Sequence, residues 1–455
     1  MSPYVPDGIE WPVTGELEPA KVGEHSPEFA LYIHVPFCTV RCGYCDFNTY
    51  TVDFGRGADR ATYDESVATE IELAQRILEP FPHEPVQSIF FGGGTPTLLQ
   101  PEQIIGILDH VRKHFELADD IEITVEANPD TVDQVVLQRL ADGGVTRLSF
   151  GMQSAVPHVL KTLDRTHNPE MVPEVVRWAR EAGLDASVDL IYGTPGESID
   201  DWRRSLEAAI ALNPDHISTY ALVIEEGTKM WADVKRGKLP MPDPDDEATK
   251  YELADRILTE AGFAWYEISN WARLEPGESA GTTQVQHASK HNLAYWFDWD
   301  WWGIGPGAHS HVGNLRWWNR KHPRAWADAL QSRTPLIGSN TTRPAAHSDA
   351  PSTSDTNVDA APSASTSPNA QNVPSSPAQA GEVLDAEDRA LEAVLLRIRT
   401  ADGIPVSQID PTVRGRILAL VNEKLIDEDA AERGTIKLTL RGRLLADYVT
   451  RELTV

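Results

Sequence analysis

The chain has 455 residues, 41% of them apolar, and a formal charge of −29 at neutral pH, enough material for two or three domains with a sizeable core. The acidic balance argues against nucleic acid as a partner, which needs clustered Lys and Arg, and no apolar run is long enough to span a membrane. The first residues, MSPYVPDGIEWPV, lack the basic and apolar regions of a signal peptide, so the reducing cytoplasm is the expected compartment.

In chain order, the first clear strand is ALYIHVPF at 30–37 and the second QSIFFGGG at 87–94. IEITVEANP, TRLSFGMQS, DASVDLIYG and HISTYALV, starting at Ile121, Thr146, Asp185 and His216, supply four more. Each is short, rich in β-branched or aromatic residues, and ends in Gly, Pro, Asn or Ser. Helical patterns lie between them. YDESVATEIELAQRIL places Val67, Ile71, Ala74 and Leu78 at helical spacing, and PEQIIGILDHVRKHF starts with Pro101 as a first helical residue.

Six strands alternating with helices predict a parallel α/β sheet built from right-handed βαβ units. Composition alone does not choose between an open sheet and an incomplete barrel. The polar motifs all fall where strands end, where both architectures place their sites.

Beyond residue 246 come a helix, an aromatic strand candidate FAWYEISNWA, and a tryptophan-dense stretch from Trp296 to Trp326. Residues 339–381 have no aromatic side chain and almost no large apolar one, which predicts a disordered linker or insertion. Residues 382–455 read as a small α+β winged-helix-like domain. The expected division is therefore an N-terminal extension (1–27), a barrel (28–265), an aromatic and histidine-rich flank (266–338), the linker (339–381) and the C-terminal domain (382–455).

All three cysteines, Cys38, Cys42 and Cys45, stand in HVPFCTVRCGYCDFNTY as C-x3-C-x2-C. Thiolates hold zinc or iron–sulfur clusters, and either commonly takes four protein ligands. A [4Fe–4S] cluster held by three leaves one iron open to a small molecule.

At this point the chain resembles the radical S-adenosylmethionine superfamily, whose signature is C-x3-C-x2-C after the first barrel strand, with an aromatic residue, here Tyr44, before the last cysteine. The resemblance implies an incomplete (β/α)6 barrel, a [4Fe–4S] cluster on Cys38, Cys42 and Cys45, and bound S-adenosylmethionine. GGGTP, with Gly93, Gly94 and Thr95, is similar to the loop that receives the methionine end of that ligand. By the same resemblance Tyr32, Tyr44, Glu126, Gln153, Arg165 and Asp189 contact it.

Within the superfamily, the run YIHVPFCTVRCGYCDF…FFGGGTPTLL…EANP…RLSFGMQS…DLIYGTPGES is similar to the branch of oxygen-independent coproporphyrinogen III dehydrogenase and the HemW-type heme chaperones. The dehydrogenases carry a further cysteine two positions after the third ligand; here that position is Phe47. HNLAYW, with His291, Tyr295 and Trp296, matches the H-N-x-x-Y-W pattern for which heme binding has been proposed in the chaperones. GIGPGAHSH adds His309 and His311, and the axial ligand is open among the three histidines. The resemblance thus implies a heme chaperone rather than an enzyme, with a heme-accepting protein as partner, peripheral contact with membrane-bound heme proteins, and a homodimer. The alternative is a radical enzyme acting on a porphyrinogen.

Overall fold

The computed structural model describes residues 8–336 and 372–454. Six parallel strands form its centre: β1 (Phe29–Val35), β2 (Val86–Gly93), β3 (Leu117–Ala127), β4 (Arg147–Gln153), β5 (Asp185–Tyr192) and β6 (His216–Ala221). Each pairs with the next in sequence, so the sheet is wound in one direction, as right-handed crossovers require. Helices α1 (Tyr63–Leu78), α2 (Pro101–His114), α3 (Gln134–Asp142), α4 (Met171–Glu181) and α5 (Ile199–Ala211) make the crossovers.

Their starts are locally encoded. Pro101 begins α2 inside a box formed by Gln100 and Gln103, Asp133 caps α3, and Ser198 caps α5 with Asp201 returning the bond. Val67, Ile71, Ala74 and Leu78 of α1 are all buried, as the helical spacing predicts.

The sheet does not stop at six strands. The hairpin β7 (Phe263–Glu267) and β8 (Asn270–Arg273) adds antiparallel to β6. On the other side β9 (Asp300–Ile304) pairs parallel to β1, followed by β10 (His309–Val312), β11 (Leu315–Asn319) and β12 (Ala378–Val383), with Ile9–Glu10 at the edge. The tryptophan-dense stretch is thus a wing of the same sheet.

The strand β12 corrects one expectation. Of the predicted linker, residues 339–371 lie outside the described residues, but Asn372–Pro374 and Ala378–Val383 are strands. A ladder needs main-chain bonds, not large side chains, and the apolar bulk comes from neighbours. Trp11 stacks on Trp317 at 5.2 Å, and a β-carbon on Gly381 would overlap the Trp11 ring. Only glycine fits beneath that ring at 381. The expected boundaries at 265/266 and 381/382 are corrected likewise, since they cut β7 and β12. The N-terminal segment is no free extension either: it lays Ile9–Glu10 on β12.

The C-terminal domain starts at the helix Ala386–Arg397 and has its own core, including Val394, Ile398, Leu420 and Val449. Its sheet is two residues wide, Ile404–Pro405 against Thr435–Ile436, and helices supply the rest. Arg443 ties it to the barrel through Asp255 (2.8 Å), and Glu392 meets Arg316 of β11 at 2.6 and 2.7 Å.

Candidate cofactor site

The cysteine loop leaves the C-terminal end of β1 and is closed by its own backbone. The Tyr50 N–H donates to Pro36 O (2.7 Å) and the Cys38 N–H to Tyr50 O (2.9 Å). The glycine loop is held against it: Gly94 N–H donates to Val35 O and Thr95 N–H to Phe37 O, both at 2.8 Å. All three thiols are unpaired and half-buried. Thr95 Oγ1 donates to Cys38 Sγ at 3.9 Å, and Arg165 Nη1 to Cys42 Sγ at 3.7 Å. Burial pushes the Cys38 and Cys45 thiols up, so cationic iron is what would draw out their thiolates.

The thiols border a cavity of about 550 Å³ in the mouth of the barrel. Eight of the nine residues expected to touch S-adenosylmethionine line it: Tyr44, Gly93, Gly94, Thr95, Glu126, Gln153, Arg165 and Asp189. Tyr32 does not. Its ring stacks on Phe90, and its hydroxyl lies 3.0 Å from His34 Nδ1, behind the cavity wall.

The glycines have a reason other than ligand approach. A β-carbon on Gly93, at φ +107°, would sit 2.5 Å from His34 Cε1, and one on Gly94 would sit 2.5 Å from Phe37 O. The chain itself fills that space.

Gln153 also has an unusual backbone, φ +64°, at a register shift between β4 and β5. Such a bulge re-aims a side chain at a strand end. Arg165 is fixed by Gly151 O (3.0 Å) and His167 Nδ1 (3.1 Å).

Two part-buried carboxyls, Glu126 and Asp189, face the cavity. Burial, with Asp189 nearby, raises Glu126 to about 7, although the Gly93 N–H at 3.1 Å opposes the shift. Burial also raises Asp189, which accepts from Ser149 Oγ at 2.9 Å. In the same wall the buried hydroxyl of Thr124 has no hydrogen-bond partner among the described residues. Two carboxyls raised by burial on the cavity wall and an orphaned hydroxyl fit a cationic, polar ligand. The three thiols, without a fourth cysteine, fit a cluster with one open iron.

Part of the aromatic and histidine segment reaches this cavity, through Ser289 and Asn292. His291 is buried, with Nδ1 2.9 Å from Ser88 Oγ and Nε2 3.1 Å from Tyr295 Oη. It stacks on Phe90 and burial pulls its pKa to about 3. His291, Tyr295 and Trp296 do not border the cavity, whereas Asn292 does. Both nitrogens of His311 are also engaged, by Arg316 and Arg389. His309 has neither nitrogen hydrogen-bonded among the described residues, and burial pulls it to about 4.

Sequence reasoning missed the cavity floor: Arg147, Ser149, Ser187, His216, Ser218 and Tyr220. Their signal was the inward half of each strand's alternation, hidden because both faces of a barrel strand are covered. It also missed Glu70, on the apolar face of α1. Glu70 accepts from Gly305 N–H, Asn319 and Trp326, and so holds the GIGPG loop in place.

The Radical SAM superfamily model matches residues 32–209. The heme chaperone HemW of Mycobacterium tuberculosis is 40% identical, over 93% of this chain and 94% of the relative. The heme chaperone HemW of Escherichia coli is 36% identical, over 66% of this chain and 76% of its own. The solved coproporphyrinogen III oxidase HemN of Escherichia coli, a radical SAM enzyme, superposes with a TM-score of 0.72 at 21% identity, covering 100% of this chain and 96% of that one. That likeness speaks for the fold.

Proposed function

Because the chain belongs to the radical SAM superfamily, in its HemN-like branch with HemW, we propose that it is a heme chaperone. It binds heme and passes it to an acceptor protein. The observation that carries this reading is the 40% identity to a named heme chaperone, sustained over nearly the full length of both chains. Phe47 supports it, standing where the dehydrogenases of the branch have a fourth cysteine.

Cys38, Cys42 and Cys45 hold a [4Fe–4S] cluster, and Glu126, Asp189, Gln153 and Arg165 receive S-adenosylmethionine beside it. When bound, that pair supplies one-electron chemistry and an open iron. The chain's own residues orient the ligand: the carboxyls face its positive charges, Arg165 places its guanidinium beside Cys42, and the glycine loop closes the wall.

For heme, the favoured iron ligand is His309. His291 and His311 must each break an internal bond to offer either nitrogen, and His309 none. A neutral imidazole is the ligating form, and His309 is half-buried with its pKa pulled down. Val40, Phe47 and Val223 make an apolar rim on the cavity, 50%, 48% and 63% exposed. The rim and the His309 hairpin meet at Asn48, whose amide donates to Pro306 O (2.9 Å) and Lys321 O (2.7 Å). A flat apolar macrocycle suits such a surface. The acceptor is a heme protein, including one at a membrane surface, and the chaperone works as a homodimer.

The test is an anaerobic heme titration, followed by absorbance, on cluster-loaded protein. Saturation at about one heme per chain supports the reading. No saturable binding, with turnover of coproporphyrinogen III instead, sinks it and favours the radical enzyme.

A further inference from the structure

At the opposite end of the barrel from the cysteines, three metal-ligating side chains converge. His25 lies just before β1, His83 just before β2, and Asp300 is the first residue of β9. The sheet order β9-β1-β2 makes these strand starts neighbours, and Asp300 pairs with Phe29. The cysteine loop follows Val35, about 20 Å further along the strand. No motif of the cofactor site includes the three.

Their geometry is that of ligands around one point. His83 Nε2 lies 2.9 Å and His25 Nδ1 3.5 Å from the same oxygen, Asp300 Oδ2. The three ligand atoms fall within 4.8 Å of one another. The second oxygen, Oδ1, is taken by the Gly313 N–H at 2.9 Å, which fixes the carboxylate with Oδ2 facing the imidazoles. Such bonding of the ligand's other atom is what orients metal ligands. His25 Nδ1 also lies 3.1 Å from Ser26 O, a bond it gives up, with its proton, when it takes an ion. The strand starts are themselves braced, with Glu84 N–H donating to Pro27 O at 2.8 Å and Phe29 packed on His83.

Charge distinguishes this cluster from a second one. Asp185, Asp215 and His287 also lie within reach of one another, but Arg147 and Arg180 sit on their carboxylates at 3.3 and 3.4 Å. That cluster already has its cations. Among the described residues, Asp300 is ion-paired with His25 and His83 alone, and its side chain is 1% exposed. A buried carboxylate whose only counter-charges are two imidazoles is well served by a divalent cation.

We propose that His25, His83 and Asp300 form a second metal site, for Zn²⁺, with water in the fourth tetrahedral position. Two imidazoles and a carboxylate are ordinary zinc ligands. The ion clamps the N-terminal segment to the bottom of the barrel, remote from the cluster.

The test uses the full-length chain with Cys38→Ala, Cys42→Ala and Cys45→Ala, so that the thiols cannot bind zinc. Zn²⁺ is titrated in competition with a chromophoric chelator, and Co²⁺ absorbance reports the geometry. The expected result is one Zn²⁺ per chain, weakened about tenfold or more by His25→Gln and by His83→Gln, and unchanged by His287→Gln. The Co²⁺ spectrum is tetrahedral without thiolate bands. If His83→Gln fails to fold, His25→Gln still decides, because its side chain is 21% exposed at the surface. No stoichiometric zinc, or equal affinity in His25→Gln, overturns the proposal.

Discussion

The guanidinium of Arg165 approaches the thiol sulfur of Cys42 to 3.7 Å, while its other nitrogens bond Gly151 O and His167. A cation fixed beside one cluster ligand stabilises negative charge on the sulfur. Charge and hydrogen bonds at the sulfurs are what set cluster potentials. Arg165→Gln is therefore expected to lower the midpoint potential of the reconstituted cluster by on the order of tens of mV. Redox titration followed by electron paramagnetic resonance measures it, and an unchanged potential would remove this role from Arg165.

Gly93 is required by packing against His34. With φ at +107° and a β-carbon position 2.5 Å from the imidazole, Gly93→Ala is expected to cost about 2–4 kcal/mol. Gly106, inside α2 with nothing near its β-carbon position, is the control: Gly106→Ala should stabilise by up to about 1 kcal/mol. Thermal melts of the two variants should therefore shift in opposite directions.

Glu126 should make S-adenosylmethionine binding depend on pH. Its carboxyl, raised to about 7 mainly by burial, is protonated in the ligand-free protein below that pH. A cationic ligand prefers the carboxylate. Affinity should rise by about tenfold between pH 6 and pH 8 and level off above. Glu126→Gln should bind more weakly and lose the slope. Calorimetric titration at several pH values checks both, and a slope retained in the variant would assign the proton to another group.

His309 and His291 make opposite predictions for heme. His309→Ala should weaken heme binding by about tenfold or more, as loss of an iron ligand does. His291→Ala should leave heme affinity nearly unchanged while lowering the melting temperature, because it removes bonds to Ser88 and Tyr295. The reverse pattern, read by absorbance titration and melts, would return the ligand to His291.

Much of the architecture was legible because each βα unit carries its own signals. Strand runs rich in β-branched residues end in turn residues, and capped amphipathic helices lie between them. Three thiols in eight residues likewise announce a metal site before any folding is considered. What could not be read was whatever depends on partners distant in sequence. Residues 378–383 look too poor in apolar side chains to fold, yet β11 and Trp11 complete them.

By itself, then, the sequence determined the order of the six βα units, the cysteine loop and those polar residues of the cavity that stand at strand ends, since these are local patterns; the residues deeper along the strands were not among them. Only the tertiary structure decided which imidazoles are hydrogen-bonded inside the fold and which are not. His291 and His309 look alike in the chain, but one packs between Phe90 and Tyr295 and the other does not. The same holds for His25, His83 and Asp300, scattered over 276 positions and joined where three parallel strands begin. A side chain's chemistry is local, but its burial and its partners are set by the sheet order that brings distant strands together.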